Sequence, residues 1–332
     1  MIKFNGKKIL ITGGTGTLGK ALTKRLLKEN IETLRIFSRD EWKQFQMQNE
    51  FNDERLRFLI GDVRDKERLS RAVEDIDIVI HTAALKQIAT AEYNPFEAVK
   101  TNVYGSQNLI ECCLDHNVEI IVGIGTDKAV SPLNTYGASK MLMERLFVSA
   151  NYYKGERKAK FLCVRYGNVL GSRGSLLPVI VSQVQNGKEI TITDPEMTRF
   201  NISMNQAVDL IFRAIKNGLG GEVFVPKLKA YRVKEMKEAI LELMDASNNE
   251  KRIPVRPGEK YHEVLINQEE LRNAYETNED YIIFEKQSQN YDYGVKNNMK
   301  KTSLNVNYIS NSVTILTKEE IKKILIDEKL IP

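Results

Sequence analysis

A tyrosine and a lysine stand four residues apart in the segment Tyr136-Gly137-Ala138-Ser139-Lys140. Side chains at positions i and i+4 of a helix lie on the same face, so a helix here would bring the phenol and the ammonium together. The ammonium then lowers the pKa of the phenol, and the phenolate takes a proton from a hydroxyl whose carbon is being oxidised. Because this spacing also arises by chance on helical surfaces, its weight depends on the rest of the chain.

Three further reactive side chains, Thr126, Asp127 and Lys128, follow one another, and Thr126 stands ten residues before Tyr136. They supply a hydroxyl, a carboxyl and an ammonium, of which the last two can carry protons. This set suits a reaction that needs an acid and a base in addition to Tyr136. A surface ion pair in a turn is the alternative interpretation of Asp127 and Lys128.

A glycine-rich turn lies between a β-branched run at residues 8–12 and a helical pattern at 19–29, and it reads Thr12-Gly13-Gly14-Thr15-Gly16-Thr17-Leu18-Gly19. The glycines at 13, 16 and 19 permit a tight turn, a close approach of the backbone to a pyrophosphate and close packing of helix on strand. The helix N-terminus offers unpaired N–H groups to the phosphates. We therefore expect Gly13, Thr15, Gly16, Thr17, Leu18 and Gly19 to bind a nicotinamide dinucleotide, beside which Tyr136 and Lys140 would act.

The end of the second predicted strand carries the residues expected to distinguish NADP from NAD. About twenty residues after the last glycine, Ser38 and Arg39 suit a ribose 2′-phosphate, with Lys43 one helical turn further on. These three residues favour NADP. Asp40 keeps NAD possible, because a carboxylate accepts a hydrogen bond from a free 2′-hydroxyl.

The ends of the next two strands supply three more candidate cofactor contacts. Asp62 and Val63 follow the third strand, where a carboxylate can meet the adenine, although Asp62 is equally well explained as a turn residue. Ala83 follows the fourth strand. We expect all three side chains at the cofactor edge of the sheet.

The elements that must position these residues alternate between strand and helix through the first half of the chain. The predicted strands are residues 8–12, 34–38, 57–61, 76–82, 120–125 and 161–166, and the predicted helices include 19–29, 66–74, 98–116 and 136–152. Such alternation is typical of a parallel, doubly wound sheet. The predicted fold class is therefore α/β, with a Rossmann-type dinucleotide-binding domain at residues 1–166.

The pattern becomes irregular after residue 166, and we expect a smaller C-terminal substrate lobe at residues 167–285, with some sheet and helix segments continuing past 166. Residues 286–332 form the third predicted part. Its first stretch, 286–312, is polar and rich in Asn, which predicts an extended or partly disordered arm able to reach a neighbouring subunit of a homo-oligomer. A final helix should begin at Thr317, where Thr317 and Glu320 form a capping box.

Composition narrows the class of protein. The chain has 332 residues, a formal charge of +5 spread along its length, and apolar content typical of globular domains. No basic stripe indicates nucleic acid, and no apolar run approaches the ~20 residues of a membrane span. Three cysteines without metal-ligand or disulfide spacing predict reduced core residues and no metal site, and the absence of a signal-peptide pattern predicts a cytoplasmic protein.

Taken together, these motifs resemble the extended short-chain dehydrogenases/reductases, and within them the soluble UDP-N-acetylglucosamine 4,6-dehydratases of surface-sugar biosynthesis. The likeness covers roughly residues 6–285. Besides the glycine turn and Tyr136–Lys140, it rests on segments that begin at Ala83 (AALKQ), Thr126 (TDKA), Arg165 (RYGNV), Ser172 (SRGS), Thr193 (TD), Met197 (MTRF) and Arg256 (RPGEK). Their co-occurrence is far more specific than any one of them.

The resemblance implies roles for individual residues. A 4-epimerase needs a hydroxyl near Thr126 and the Tyr136–Lys140 pair, whereas a dehydratase also needs an acid for the C6 hydroxyl and a base at C5. It casts Asp127 as the acid and Lys128 as the base, with the order of the two left open. It also implies that the UDP-sugar is bound by Lys86, Asn168, Arg173, Thr193, Met197, Arg199, Arg256 and Glu259.

The compact length and the Arg256–Lys260 segment look more like the family members that invert C5, whose products feed pseudaminic acid or related sugars. One departure is Gly125, where the family commonly has Ser, so a hydroxyl is missing beside the cofactor. Three alternatives remain open at this stage: a retaining 4,6-dehydratase, a nucleotide-sugar 4-epimerase, and a non-catalytic NADP-binding protein.

Overall fold

A computed structural model describes residues 4–172, 174–256, 258–285 and 299–331. Within these ranges the largest sheet has ten strands. From one edge to the other they are β15 (Lys300–Lys301), β13 (Ala274–Glu276), β14 (Asp280–Phe284), β9 (Glu222–Pro226), β6 (Lys160–Val164), β5 (Ile120–Ile124), β4 (Ile78–His81), β1 (Lys8–Thr12), β2 (Thr33–Ser38) and β3 (Leu56–Ile60). The run β3 to β9 is parallel, while β14, β13 and β15 are antiparallel.

The order β3-β2-β1-β4-β5-β6 is that of the Rossmann fold, which places the carboxyl ends of all six strands along one edge. Each of the six predicted strands is present, with bounds that differ by at most two residues. The strands are nearly continuous runs of buried β-branched and aliphatic residues because helices cover both faces. The predicted α/β class with a mostly parallel sheet is confirmed.

Helices pack on the two faces of the sheet through separate apolar cores. One face holds α3 (Lys66–Val73), α6 (Gly105–Asp115) and α7 (Thr135–Tyr153), and the other holds α1 (Thr17–Leu26), α2 (Glu41–Phe51) and α9 (Met204–Asn217). Leu109 and Phe147 are fully buried on the first face, and Leu22 and Ile211 on the second. The two faces fix the loops at the strand ends, where the predicted site lies.

The predicted helix at residues 98–116 is not a single α-helix. The structure has α4 (Ile88–Tyr93) and α5 (Pro95–Val99), then a π-helical turn (Lys100–Tyr104) that leads into α6. The π turn buries Asn102, whose amide bonds both the N–H and the carbonyl of Leu85, at 2.8 and 2.9 Å. The helix therefore widens to hold the loop that follows β4, which is a common use of π turns at functional sites.

A smaller lobe with its own apolar core, which includes Ile180, Met236 and Leu325, stands beside the sheet. Its elements are α8 (Leu176–Gln185), β7 (Ile190–Ile192), β8 (Thr198–Phe200), β10 (Ala230–Arg232), α10 (Val233–Leu243), β11 (Glu250–Arg252) and α11 (Lys318–Asp327). The capping box of α11 at Thr317 and Glu320 is confirmed. Strands β9, β13 and β14 come after residue 166 in the chain but belong to the large sheet. The division of the chain into two domains at residue 166 therefore stays a prediction.

The predicted polar arm, residues 286–312, is described from residue 299 onward. Most residues of that part are exposed, as predicted, but β16 (Tyr308–Ile309) pairs with β12 (Val264–Ile266), and both Tyr308 and Ser310 are buried. Residues 286–298 lie outside the described residues, so the predicted contact with a neighbouring subunit stays a prediction. Ser310 departs from the predicted surface position because its hydroxyl is hydrogen bonded inside the protein, as described below.

Candidate active site

The glycine turn after β1 has the geometry expected of a dinucleotide site. Gly13 adopts a φ of +66°, and a Cβ there would lie 2.8 Å from Ala83. A Cβ on Gly19 would lie 2.3 Å from the carbonyl oxygen of Gly14, so α1 packs against the turn only with glycine at position 19. Gly16 is the N-cap of α1 and makes no side-chain cap, which leaves the first N–H groups of the helix for an anion.

The four side chains predicted at the ribose lie on the same cavity, with different partners. The Ser38 hydroxyl is buried and accepts a hydrogen bond from Gln44 at 3.0 Å. Arg39 is largely exposed, 3.8 Å from Asp62. Asp40 caps α2 by accepting from the N–H of Lys43 at 3.0 Å, and it also pairs with the Lys43 ammonium.

Asp62 lies in a turn and is bound by Arg64, at 2.7 Å between Oδ2 and Nη2. The turn interpretation of Asp62 therefore describes its contacts in the structure. Val63 and Ala83 lie beside it on the cavity wall, and Val63 is also buried against Gly105. All three side chains thus stand at the cofactor edge of the sheet.

A single cavity of about 1730 Å³ runs from the glycine turn to the smaller lobe. The predicted residues on its wall are Gly13, Thr15, Gly16, Thr17, Leu18, Ser38, Arg39, Lys43, Asp62, Val63, Ala83, Lys86, Thr126, Lys128, Tyr136, Lys140, Asn168, Thr193, Arg199, Arg256 and Glu259. Residues far apart in sequence, on the sheet edge and on the lobe, thus share one enclosed space. A cavity of this size accommodates a dinucleotide and a second ligand.

Tyr136 and Lys140 lie on the inner face of α7, and both are buried. Asn134 begins the helix by accepting from the N–H of Gly137 at 2.8 Å. A Cβ at Gly137 would lie 2.2 Å from the carbonyl oxygen of Lys128, so this glycine allows the Asp127–Lys128 segment to touch the helix. The conformation of α7 therefore brings the two predicted catalytic segments together.

The environment of α7 sets the protonation of its two reactive groups. Burial raises the pKa of Tyr136, while the charge of Lys128 and a hydrogen bond with Thr126 act in the opposite direction. Burial lowers the pKa of Lys140 to about 8. Lys128 is thus the cation that lowers the pKa of the phenol in the structure, an effect that the sequence assigned to Lys140.

Asp127 is fully buried directly after β5, in the short 3-10 turn Asp127–Ala129. Its Oδ1 accepts from the Thr126 hydroxyl at 2.9 Å and from the Lys128 ammonium at 3.1 Å. Its Oδ2 has no hydrogen-bond partner among the described residues. Burial and the nearby Glu263 carboxylate raise the pKa of Asp127, so this carboxyl holds a proton to a higher pH than an exposed aspartate does. The surface-ion-pair interpretation is wrong because this carboxyl is inaccessible to solvent.

Lys128 makes two further contacts, to Asn168 Oδ1 at 3.0 Å and to Glu263 Oε1 at 3.2 Å. Burial alone would lower the pKa of Lys128, but the Asp127 and Glu263 carboxylates outweigh it and raise the pKa. Lys128 is therefore an ammonium in the structure. The carbonyl oxygen of Asn168, predicted to bind substrate, is committed to this ammonium.

The residues predicted to bind the nucleotide differ in how accessible they are. Arg199 is buried: its guanidinium donates to Thr198 O at 2.8 Å and pairs with Glu259 at 3.1 Å. Arg256 and Lys86 are exposed on the cavity wall. The buried Arg199 and the half-buried Glu259 thus form a charged pair on the cavity wall.

Two residues predicted to bind substrate, Met197 and Arg173, are not found on the cavity wall in the described part of the chain. Met197 lies in the core of the smaller lobe and does not line the cavity, so its side chain supports the site instead. Its sulfur accepts from Arg199 at 3.4 Å and from Thr193 at 3.3 Å, holding two residues that do line the cavity. Arg173 lies outside the described residues, and its role stays a prediction.

A family model described as polysaccharide biosynthesis protein matches residues 9–285 of the chain. The chain belongs to this family. A UDP-N-acetylglucosamine 4,6-dehydratase (inverting) of Campylobacter jejuni is 45% identical over 84% of the chain and 83% of that protein. The resemblance found from the motifs is thereby confirmed.

Other relatives in this family carry different names. An uncharacterized membrane protein of Methanocaldococcus jannaschii is 46% identical over 97% of the chain and 96% of that protein. A UDP-glucose 4-epimerase of Rickettsia massiliae is 38% identical over the same shares of the two chains. The protein is an enzyme of the nucleotide-sugar dehydratase and epimerase family. No helix in the described ranges is long and apolar enough to cross a membrane.

Solved structures agree on the fold. The X-ray structure of Pen from Bacillus thuringiensis has a TM-score of 0.93 and 38% identity, over 99% of this chain and 100% of that one. A dTDP-glucose 4,6-dehydratase from Streptomyces venezuelae, solved with NAD, has a TM-score of 0.71 and 21% identity over 76% of this chain and 86% of that one. The first match extends the common fold through the C-terminal segment.

Three residues of this polysaccharide-biosynthesis enzyme escaped sequence reasoning. Glu263 binds Lys128, Asn102 holds the loop after β4, and Gln44 fixes Ser38. Glu263 stands three residues past the Arg256–Lys260 segment, and that proximity is the only signal that pointed to it. The other two are polar residues inside helices, where nothing in the spacing separates them from surface positions.

The structure gives a reason for the departure at Gly125. A Cβ there would lie 2.8 Å from the carbonyl oxygen of Val164 and 2.9 Å from Oε2 of Glu144. Glu144 is buried and pairs with the Arg165 guanidinium, whose Nη2 also contacts Glu270 at 2.8 Å. In this enzyme the Glu144 carboxylate occupies the space beside residue 125, and glycine leaves room for it.

His81 and the three cysteines are packed in the protein interior. The His81 ring bonds the Thr12 hydroxyl at 2.7 Å and the Ser106 hydroxyl at 3.1 Å, and burial lowers its pKa to about 3. His81 is therefore a neutral packing residue at the end of β4. The cysteines at positions 112, 113 and 163 are free and buried, as expected.

Proposed function

We propose that the protein is a UDP-N-acetylglucosamine 4,6-dehydratase that uses NADP and inverts C5. One observation carries the proposal: Lys128 and Tyr136 line the cavity that also contains the glycine turn, and the buried Asp127 is hydrogen bonded to Lys128 directly behind the cavity wall. An epimerase needs only the hydroxyl, phenol and lysine at C4. A buried acid and a second ammonium beside them serve a reaction that also breaks bonds at C5 and C6.

The residues present fit a nicotinamide dinucleotide, which when bound accepts hydride from C4 and returns it at C6. The glycine turn and the uncapped start of α1 suit the pyrophosphate. Arg39 and the hydroxyl of Ser38 suit a 2′-phosphate. Asp40 is the residue that would accept from a free 2′-hydroxyl, and its carboxylate is already engaged by Lys43, which supports NADP over NAD.

The first chemical task falls to Tyr136. Its phenolate, hydrogen bonded with Thr126, takes the proton of the C4 hydroxyl and becomes the phenol as C4 is oxidised. Lys128 and Lys140 are the cations of the site that stabilise the phenolate. Their burial excludes water, so their charges act in a medium of low dielectric constant.

The second task falls to Asp127 and Lys128. Once C4 is a ketone, the C5 hydrogen is acidic and a base can remove it. Asp127 gives its proton to the C6 hydroxyl, which leaves as water, and this agrees with its raised pKa. Lys128 is assigned to C5 and must first give up one proton, since it is an ammonium in the structure.

The uridine diphosphate is assigned to the lobe end of the cavity. Arg199 and Arg256 are the guanidinium groups there, and such groups match phosphate oxygens. Glu259 lies between them: it pairs with Arg199 at 3.1 Å and accepts from the N–H of Arg256 at 3.4 Å. A diphosphate that binds Arg199 therefore competes with the Glu259 carboxylate for this guanidinium. Lys86 lines the wall toward the sugar.

Inversion at C5 is favoured by the likeness to the Campylobacter jejuni enzyme, which is named as inverting. The same likeness supports a place in surface-polysaccharide or pseudaminic acid synthesis. A cytoplasmic location and a homo-oligomeric state complete the proposal, and both rest on the sequence.

The test is incubation of the purified protein with UDP-N-acetylglucosamine and NADP in deuterated buffer, followed by proton NMR. We expect a new C6 methyl signal with deuterium at C5, and in ordinary water the nuclear Overhauser contacts of H5 separate inversion from retention. Tyr136→Phe should abolish the product, whereas Tyr153→Phe, an exposed phenol on the same helix, should not. Appearance of the C4 epimer alone would replace the proposal with an epimerase, and no change would reject this substrate.

A further inference from the structure

The Lys128 ammonium has a full set of hydrogen-bond acceptors. Its Nζ lies 3.1 Å from Asp127 Oδ1, 3.0 Å from Asn168 Oδ1 and 3.2 Å from Glu263 Oε1. An ammonium has three N–H donors, so these three acceptors use all of them. No lone pair is available to remove a proton from C5 until one N–H proton has moved to an acceptor.

The three acceptors are not equivalent as destinations for that proton. The amide oxygen of Asn168 accepts hydrogen bonds but does not become protonated at neutral pH. Asp127 must keep its own proton for the C6 hydroxyl. Glu263 is the remaining acceptor, and its carboxylate has no other proton transfer to make in the proposed reaction.

We propose that Glu263 is a positioning residue of the dehydration, which takes one proton from Lys128 so that the free amine can remove the hydrogen at C5. This inference rests on the proposed function. An N–H bond of Lys128 breaks and an O–H bond forms on Glu263. The amine then takes the C5 proton, the C5–H electron pair becomes the C5–C6 double bond, and the C6 oxygen leaves with the proton of Asp127 as water. A proton then reaches C5 from the face opposite the amine, as inversion requires, and the proton held by Glu263 passes to solvent and balances the one delivered. Lys128 is an ammonium again, and the C4 hydroxyl proton on Tyr136 restores Asp127.

The position of Glu263 suits this transfer. Its side chain is 3% exposed, and its Oε2 has no hydrogen-bond partner among the described residues. Its N–H donates to Ser310 Oγ at 2.9 Å, and its carbonyl accepts from the N–H of Ser310 at 2.8 Å. The pairing of β16 with β12 continues from this point, so the C-terminal segment fixes Glu263 against the cavity.

The electrostatics allow the proton to move in either direction. Burial alone would raise the pKa of Glu263, and the charges of Lys128 and Arg199 lower it. Transfer of the proton removes the Lys128 charge, so burial then favours the protonated carboxyl. An amine and a carboxylic acid replace two buried ions, and the net charge of the cavity does not change.

Other titratable groups face this pair from every element around it. They are Asp127 on its own turn, Tyr136 of α7, Arg199 of β8, Tyr231 of β10 and Lys260 before β12. His262, next to Glu263, turns away toward the Thr198 hydroxyl at 2.8 Å. Besides Asp127, which needs its proton for the C6 hydroxyl, Glu263 is the carboxylate in direct contact with Lys128 in the described part of the chain.

The test measures removal of the C5 hydrogen by Lys128 separately from protonation of the C6 hydroxyl by Asp127. UDP-N-acetylglucosamine labelled with deuterium at C5 is given to an excess of the cofactor-loaded enzyme in ordinary water, and exchange of the C5 label with water is followed by NMR between roughly pH 6.5 and 9. An internal transfer takes no proton from solvent, so the wild-type exchange rate should not change with pH. In Glu263→Gln the amine must lose its proton to water, so the rate should be lower near neutrality and rise about tenfold per pH unit.

Glu276→Gln is the matched control, because Glu276 is also buried and pairs with a lysine, Lys227 at 2.9 Å, away from the cavity. Its exchange should stay independent of pH, and Glu263→Asp, which keeps the carboxylate, should do the same. A wild-type rate that rises tenfold per unit would overturn the inference, even if Glu263→Gln does not fold. A Glu263→Gln rate that is lower by one constant factor at every pH would also overturn it. If the wild type forms no methyl product from UDP-N-acetylglucosamine, the proposed function itself is wrong and this inference falls with it.

Discussion

Replacement of Gly125 by serine should destabilise this protein, although serine is common there in the family that it resembles. The new Cβ would lie 2.8 Å from Val164 O and 2.9 Å from Glu144 Oε2. Contacts this short in a packed interior cost about 1–3 kcal/mol. At about 2.1 cal/mol/K per residue, the 332-residue chain has an unfolding entropy near 0.7 kcal/mol/K, so Tm should fall by about 1.5–4 °C.

Differential scanning calorimetry of Gly125→Ser, Glu144→Asp and the double variant measures this cost. The shorter aspartate withdraws the carboxylate, whereas the contact with Val164 O remains. The serine should therefore cost about 1 kcal/mol less in the Glu144→Asp background than in the wild type. An unchanged or raised Tm in Gly125→Ser, or strict additivity of the two changes, would refute the view that Glu144 fills the space beside residue 125.

Three further predictions concern the acid, the cofactor and the buried histidine. Asp127→Asn should lower the dehydration rate about 10²–10⁴-fold, while UDP-N-acetylglucosamine recovered from deuterated buffer gains deuterium at C5. Arg39→Ala should weaken NADP binding about 10–100-fold in calorimetric titration and leave NAD binding nearly unchanged, since it removes charged hydrogen bonds to the 2′-phosphate. The pKa of native His81 is about 3, so between about pH 6.5 and pH 3 the unfolded chain binds up to one more proton than the native protein. The free energy of unfolding should therefore decrease as the pH is lowered through this range, by at most about 1.4 kcal/mol per unit from this residue, and the decrease should be smaller in His81→Asn.

Each of these three predictions has a result that would contradict it. Full dehydration by Asp127→Asn would remove Asp127 as the acid, and the absence of C5 deuterium would mean that the substitution also blocks an earlier step. Equal losses for NADP and NAD in Arg39→Ala would assign Arg39 to the shared part of the cofactor. The same pH slope of stability in His81→Asn and the wild type would show that other groups cause the acid sensitivity.

The sheet could be predicted from sequence because each strand is a short β-branched run and each is followed by a turn or a helix. The order of strands then followed from the usual handedness and order of such folds. The π turn at Lys100–Tyr104 could not be predicted, since it exists to bring Asn102 to Leu85, a contact that joins two separate elements. Local periodicity contains no information on such contacts.

The residues of the candidate site likewise divide into those that the sequence predicts and those that it does not. Tyr136, Lys140 and the glycine turn were recognisable because helix and turn geometry alone places their groups. Glu263 was not, because its partner Lys128 is 135 positions away in the chain and the contact depends on the pairing of β12 with β16. Polar composition likewise misplaced Ser310, which is buried by that same pairing.

The central claim is that hydride leaves C4 and returns to C6 of the same sugar, and a substrate labelled with deuterium at C4 tests it most directly. After incubation of UDP-[4-²H]-N-acetylglucosamine with the wild-type protein and NADP, proton and deuterium NMR locate the label. The account predicts a C6 methyl group that carries one deuterium. Label that is found only at C4, in a sugar that has kept its C6 hydroxyl, would contradict the dehydratase and identify an epimerase.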